Sequence, residues 1–185
     1  MSESPIRSVV IAHRSALGRR LLAAALAFAL LAPVAAWAYD LGHKRPSGVS
    51  LDKLDRLVTH EGRPFSRASL RGRPFVVALG FTHCPDVCPT TLLDITNHVA
   101  ALGPQGERIG VLFVTVDPDR DTPAALKEYL ASFDPRIVGL TGHPTDIADA
   151  ADALNSFYER IDKPDGSYTM DHTLKVHFFD RYGLL

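Results

Sequence analysis

The chain of 185 residues has only two cysteines, so it can close one disulfide at most. It lacks an excess of either charge: 20 Lys and Arg stand against 21 Asp and Glu. Residues 1–38 contain four Arg and one Glu, so the remainder carries 16 basic and 20 acidic residues. Such a balance offers no basic face and argues against nucleic acid as a partner. No repeat of solenoid-like period is present, which excludes stacked-repeat architectures. Nor is there a polar low-complexity tract. Hydrophobic residues make up 46% of the chain, enough to build a core and to exclude intrinsic disorder. The length fits one domain preceded by a targeting segment.

That segment is residues 1–38. Arg14, Arg19 and Arg20 form a positive start, residues 21–38 are an unbroken apolar run, and Ala36-Trp37-Ala38 places small residues before a cleavage point at Tyr39. The run is also near the lower limit for crossing a bilayer. It has no polar face, which argues against a helix packed on the core. It is therefore a signal peptide or a single membrane anchor. In both cases the positive end stays in the cytoplasm and the folded part lies on the outer, periplasmic side of the cytoplasmic membrane. Residues 39–50 form a polar tether with Gly and Pro, and the folded domain spans 51–185.

Within that domain, residues 54–70 read as a short hairpin turning at Glu61-Gly62. Residues 75–81 and 109–116 are continuous apolar runs, as expected of strands buried on both faces. Helical spacing over 92–102 (Leu92, Leu93, Ile95, Val99, Leu102) ends at Gly103-Pro104. Thr122 as N-cap and Pro123 at the first helical position open a helix reaching about Phe133. Residues 137–140 read as a strand and 144–156 as a helix. Residues 158–161 and 174–179 read as strands, with a turn at Pro164-Asp165-Gly166 between them. This alternation predicts an α/β fold with parallel central strands and helices on both faces. Ligands of such folds sit beyond the carboxyl ends of the strands. Cys84 and Cys88 lie just there.

The two cysteines are four apart, a spacing that can put both on one face of a helical turn, and Pro85 and Pro89 fix the backbone after each. Three readings follow. A structural disulfide closing so short a loop adds little stability. A redox pair ordinarily has two intervening residues, whereas this one has three. A metal clip would use two thiolates, which select soft ions such as Cu(I), with an imidazole to complete the set. His43, His60, His83, His98, His143, His172 and His177 are the candidates for that imidazole. His172 lies just before the last apolar strand, where a loop could approach the cysteines. The residues by themselves do not lift it above His143 or His177.

The stretch Gly80-Phe81-Thr82-His83-Cys84-Pro85-Asp86-Val87-Cys88-Pro89-Thr90-Thr91-Leu92 closely resembles the signature of the Sco/SenC family of copper chaperones. Three further segments agree in order and spacing: Val114-Thr115-Val116-Asp117-Pro118-Asp119-Arg120-Asp121-Thr122-Pro123, Gly139-Leu140-Thr141-Gly142 and Tyr168-Thr169-Met170-Asp171-His172. Arg71-Gly72-Arg73-Pro74 resembles the turn before the family's first central strand. The resemblance spans about residues 50–182.

It implies a thioredoxin-like fold, a central mixed sheet flanked by helices. It also implies copper, Cu(I) or Cu(II), held by Cys84, Cys88 and His172. The implied role is binding and transfer rather than catalysis: delivering copper to, or maturing, the dinuclear copper centre of cytochrome c oxidase. The implied partners are the copper-bearing oxidase subunit, other periplasmic copper chaperones or thioredoxin-like reductases, and the membrane through the N-terminal segment. The alternative is a thiol–disulfide oxidoreductase that keeps the oxidase cysteines reduced, with Cys84 and Cys88 as its redox pair. A peroxide-reducing enzyme is a further rival. Zinc fits less well, since a closed structural site takes four protein ligands. Asp86, inside the motif, is expected to tune the thiolates or meet a partner. Asp117-Pro118 and Asp121-Thr122-Pro123 are expected to be a turn and a helix cap. Family members usually continue beyond Asp180-Arg181-Tyr182-Gly183 with a strand and a closing helix. Without these, apolar surface is expected to stay exposed on one face of the sheet.

Overall fold

The two apolar runs form the centre of the sheet in a computed structural model that describes residues 51–185. The targeting segment and tether expected over residues 1–50 lie outside the described residues. Strand β1 is Val58–Thr59, β2 Phe75–Gly80, β3 Gly110–Thr115, β4 Ile137–Thr141 and β7 Val176–Phe179. They form one sheet in the order β1-β4-β3-β2-β7. The three central strands are parallel, and β1 and β7 run antiparallel at the edges. Every residue of β2 and β3 is buried, as expected for parallel strands covered on both sides.

Helix α1 is Val87–Ala101, α2 Pro123–Leu130 and α3 Pro144–Ala153. Successive side chains of a strand point to opposite faces, and the core divides accordingly. Val77 and Leu79 of β2 join Leu112 and Val114 of β3 beneath α3, with Ile147 and Ala150. Val76, Ala78, Val111 and Phe113 face α1 and α2, meeting Leu92, Ile95, Val99 and Leu126. Full burial of one such side chain stabilises by about 1.5–3 kcal/mol, so the two layers fix the strands that end at the cysteines. Among the described residues no helix is long and apolar enough to cross a membrane.

Several local expectations are corrected. Residues 54–70 make no true hairpin. Leu51–Arg56 is a short 3-10 helix, β1 pairs with β4, and one bridge, Val58 to Pro64, remains of the turn. Leu54 and Leu57 are pulled into the core, which outweighs strand pairing with so polar a partner segment. Helix α1 starts five residues earlier than its apolar spacing suggests: its first turn buries Cys88 and carries Pro89, neither of which belongs to the Leu/Ile/Val spacing. Proline is tolerated there since its missing N–H would be unpaired anyway. Helix α2 ends at Leu130, short of Phe133. Its start is as expected, with the Thr122 hydroxyl accepting from Ala125 N.

The largest departure is a strand that the apolar pattern did not reveal. Residues Tyr168–His172 form β6, paired antiparallel with β5, Tyr158–Asp162, across the turn at residues 163–167. This hairpin is a second, two-stranded sheet with no ladder to the first. Tyr168, Met170 and His172 alternate with Thr169 and Asp171 in the period of two of a half-buried strand. On β7, His177 and Phe179 turn inward, whereas Phe178 is 69% exposed.

Candidate metal and thiol centre

Strand β2 ends at Gly80, and the chain turns through residues 81–86 into α1. Cys84 lies in that turn and Cys88 in the first turn of the helix, so the pair does not share a helical face. Asp86 is the N-cap residue, yet its side chain makes no capping hydrogen bond. The Cys84 sulfur takes over part of that role, accepting from the Cys88 backbone N–H at 3.5 Å. The first amides of a helix lack internal partners and favour negative charge beside them. Burial by itself would push the Cys84 thiol up. The amides of Asp86, Cys88 and Val87, together with the Cys88 thiol, more than offset this and hold it below the ordinary thiol value. Cys88 is the reverse. It is buried among apolar side chains and pushed up to about 12, chiefly by that burial, with further contributions from the Cys84 thiol and the Asp121 charge. The two cysteines are free and chemically unequal: Cys84 is the more acidic thiol, and Cys88 the one that burial keeps protonated.

His172 closes the β6 end of the hairpin and brings Nε2 to 3.5 Å from Cys88 Sγ. Its Nδ1 lies 3.1 Å from the Thr173 carbonyl oxygen, which can only accept, so Nδ1 carries the proton and the Nε2 lone pair faces the sulfur. The Phe81 ring meets the imidazole edge-on at 6.0 Å. The other histidines are engaged elsewhere. His143 caps α3 by accepting from Thr145 N. His177 is buried against Ser156, and burial, with the charge of Lys175, lowers its pKa. His60 accepts from Gly139 N, His98 bonds the Asp94 carbonyl within α1, and His83 is exposed beside Thr82. His43 lies outside the described residues. The tie between His172 and His143 or His177 is thus broken by tertiary placement alone.

Residues that the sequence reading set aside hold this centre in place. Asp121 is fully buried, and its carboxylate accepts from the Thr82 amide at 3.0 Å, the Thr82 hydroxyl at 2.6 Å and the Thr115 hydroxyl at 2.5 Å. It ties the cysteine turn to the end of β3, a larger role than that of a turn residue. Gly80 gives the Cys88 sulfur its space: a Cβ there would lie 2.9 Å from Sγ and 2.5 Å from the Phe113 ring. The acidic residues clustered just after β3 were the available signal for Asp121. Gly80 opens the stretch that resembles the family signature, but its role as space for the sulfur has no local signal.

The chemistry of the donors can be tested against a metal. Metal–sulfur and metal–imidazole bonds of about 2.3 and 2.0 Å place a sulfur and a nitrogen on one ion roughly 3.5–3.8 Å apart. The Cys88–His172 pair stands at that spacing. Among the described residues no three His, Cys, Asp or Glu side chains already surround one point. Two thiolates and an imidazole form a soft donor set, suited to Cu(I).

Fold and centre together define a thioredoxin-like protein with a dithiol–imidazole centre at the carboxyl end of its sheet. Residues 51–185 match the family described as SCO1/SenC, and the chain belongs to that family. A SCO2-like protein of Rickettsia prowazekii is 41% identical over 69% of this chain and 63% of its own length. The chain thus spans less than two thirds of that relative. The Bradyrhizobium japonicum ScoI structure with copper bound is 41% identical, with a TM-score of 0.66, over 69% of this chain and 82% of that one. BsSco, described as having a disulfide switch and as a member of the Sco family of cytochrome c oxidase assembly proteins, is 20% identical with a TM-score of 0.55. It covers 76% of this chain and 83% of its own, and adds support for the fold alone.

Proposed function

We propose that this protein holds one copper ion with Cys84, Cys88 and His172 and passes it to the copper-bearing subunit of cytochrome c oxidase, in maturation of the dinuclear copper centre. The observation that carries this reading is the 3.5 Å approach of His172 Nε2 to Cys88 Sγ across 84 residues of chain, with its lone pair facing the sulfur. The similarity to a copper-bound ScoI supports it. Residues 51–185 are the copper-binding domain. Residues 1–38 act as signal peptide or anchor and residues 39–50 as tether, placing the domain on the periplasmic side of the cytoplasmic membrane, with the oxidase as acceptor.

The unequal thiols favour a second reading, reduction of the acceptor's cysteines. The Cys84 thiolate would attack one sulfur of a partner disulfide, forming a mixed disulfide and releasing the other partner sulfur, which takes a proton from water. Cys88, passing its proton to the leaving group, would then attack Cys84 Sγ and displace the partner sulfur still bound to it. Cys84–Cys88 ends oxidised, and the partner gains two electrons and two protons as thiols.

Copper titration of the reduced full-length chain separates the two. Under the copper reading the wild type takes up one equivalent, the Cys84→Ala, Cys88→Ala double variant takes up none, and His172→Ala binds at least tenfold more weakly while still forming the Cys84–Cys88 disulfide. Normal copper binding and full oxidase maturation by His172→Ala would instead leave thiol exchange as the function.

A further inference from the structure

The hairpin that carries His172 has no backbone ladder to the main sheet. A two-stranded sheet alone is marginal in water, so side-chain contacts must decide where its last residue stands. In β6, Tyr168, Met170 and His172 share one face, since side chains alternate along a strand. Met170 packs on the core, and Tyr168 meets a charged group from another part of the fold.

That group is Arg120, in the segment between β3 and α2. Its Nε donates to Asp117 Oδ2 at 2.5 Å and its Nη1 to the Tyr168 carbonyl at 3.2 Å. Its guanidinium lies 3.7 Å from the centre of the Tyr168 ring and 5.9 Å from that of Phe81, the ring that meets His172. The Tyr168 hydroxyl donates to the second oxygen of Asp117 at 2.9 Å. Arg160 lies 3.7 Å from the same ring. Two guanidinium groups cannot occupy one face at that distance, so Arg120 holds the inner face and Arg160 the outer.

We infer that Asp117, Arg120 and Tyr168 form a clamp that positions His172 opposite Cys88. The segment from Asp117 to Asp121 then holds both halves of the centre: Asp121 fixes the cysteine turn through Thr82, and Asp117 with Arg120 fixes the histidine strand through Tyr168. These are positioning residues; none contacts the sulfurs or the imidazole. Arginine is suited to this position because its planar fork stacks on a ring while donating along its edge, which lysine cannot do. The inference rests on the copper reading for what His172 holds, but the clamp itself can be tested without metal.

The test uses the full-length chain with Arg120→Lys, which keeps the charge but loses the stacking plane, and Tyr168→Phe, which keeps the ring but loses the bond to Asp117. In the copper-free state, amide hydrogen exchange over residues 158–172 rises at least tenfold in Arg120→Lys and less in Tyr168→Phe, while β2 and β3 exchange as in wild type. With copper, Arg120→Lys lowers affinity about tenfold. In a His172→Ala background the same change lowers it less than twofold, because the clamp acts through the missing imidazole. Unaltered hairpin exchange in both variants, or equal loosening of the central strands, overturns the clamp. Equal affinity losses in the two backgrounds also overturn it. A wild type that binds no copper removes the proposed function, and the exchange measurement still decides the clamp.

Discussion

The sulfurs and the imidazole of this centre come from regions held in opposite ways. Cys84 and Cys88 follow a strand whose residues are all buried, between two layers of helices, and a buried carboxylate with three donors secures their turn. His172 ends a hairpin whose outer positions face water and whose fixation is by side chains. Opening free energies differ widely within one protein, and segments with few buried contacts open first. The dithiol half is therefore the stiff half of the centre and the imidazole half the soft one.

The comparison breaks most severely at Asp121. Asp121→Ala removes a buried acceptor and strands the buried Thr115 hydroxyl and the half-buried Thr82 amide and hydroxyl, an unmet buried donor costing about 1–3 kcal/mol. We expect a loss of about 3 kcal/mol in urea unfolding, with heightened exchange in residues 81–86 and copper uptake impaired through the thiols. Gly80→Ala comes next. Its Cβ overlaps the Phe113 ring and the Cys88 sulfur, overpacking that costs about 1–3 kcal/mol. The same variant displaces Sγ, so copper affinity falls with stability, whereas His172→Ala lowers affinity with little change in the unfolding midpoint.

A pH series sharpens the stiff half. In the reduced, metal-free protein the folded Cys88 keeps its proton up to about 12, against an ordinary thiol value of 9.0. Between those values the unfolded chain has released a proton that the folded chain retains, so this contribution is complete below pH 9 and is lost as pH rises. Cys84, held low, has the opposite sign: its contribution is present above the ordinary thiol value and is lost as pH falls through its lower folded value. Urea midpoints measured from pH 8.5 to 10.5 should decline less steeply in Cys88→Ala than in wild type. Alkylation at pH 8 should label Cys84 well before Cys88. The smallest effect belongs to the outer clasp of the soft half. Arg160 is exposed, so solvent weakens its stacking on Tyr168. Arg160→Ala should lower the midpoint slightly and speed exchange only within the hairpin. A comparable loosening of β2 would mean that the two regions are not independent.

Much of the stiff half was legible in the chain. Uninterrupted apolar runs announce strands buried on both faces, because only side chains that avoid water on both sides give such a pattern. Thr122-Pro123 announces a helix start because of what each residue does to the backbone amides. The soft half was legible in part. Its turn at Pro164-Asp165-Gly166 was visible, but β6 was not singled out: Tyr168, Met170 and His172 alternate with Thr169 and Asp171, yet the alternation is short and ends on a histidine, so only the pairing with β5 establishes it. Asp86 was expected to tune the thiolates or meet a partner. At its position it is the backbone amide that bears on Cys84, and that follows from where the helix begins rather than from the carboxylate.

The sequence by itself determined the strand–helix alternation, the place of the cysteine pair beyond the end of a buried strand, and the type of donor available there, because these follow from hydrophobic period, backbone restriction and side-chain chemistry. Only the tertiary structure decided which histidine meets the thiols, which thiol is poised and which is suppressed, and that Asp117, Arg120 and Asp121 reach the two halves from one segment. Contacts between residues 84 apart, and the burial that separates two identical side chains in acidity, are properties of packing and have no local signature in the chain.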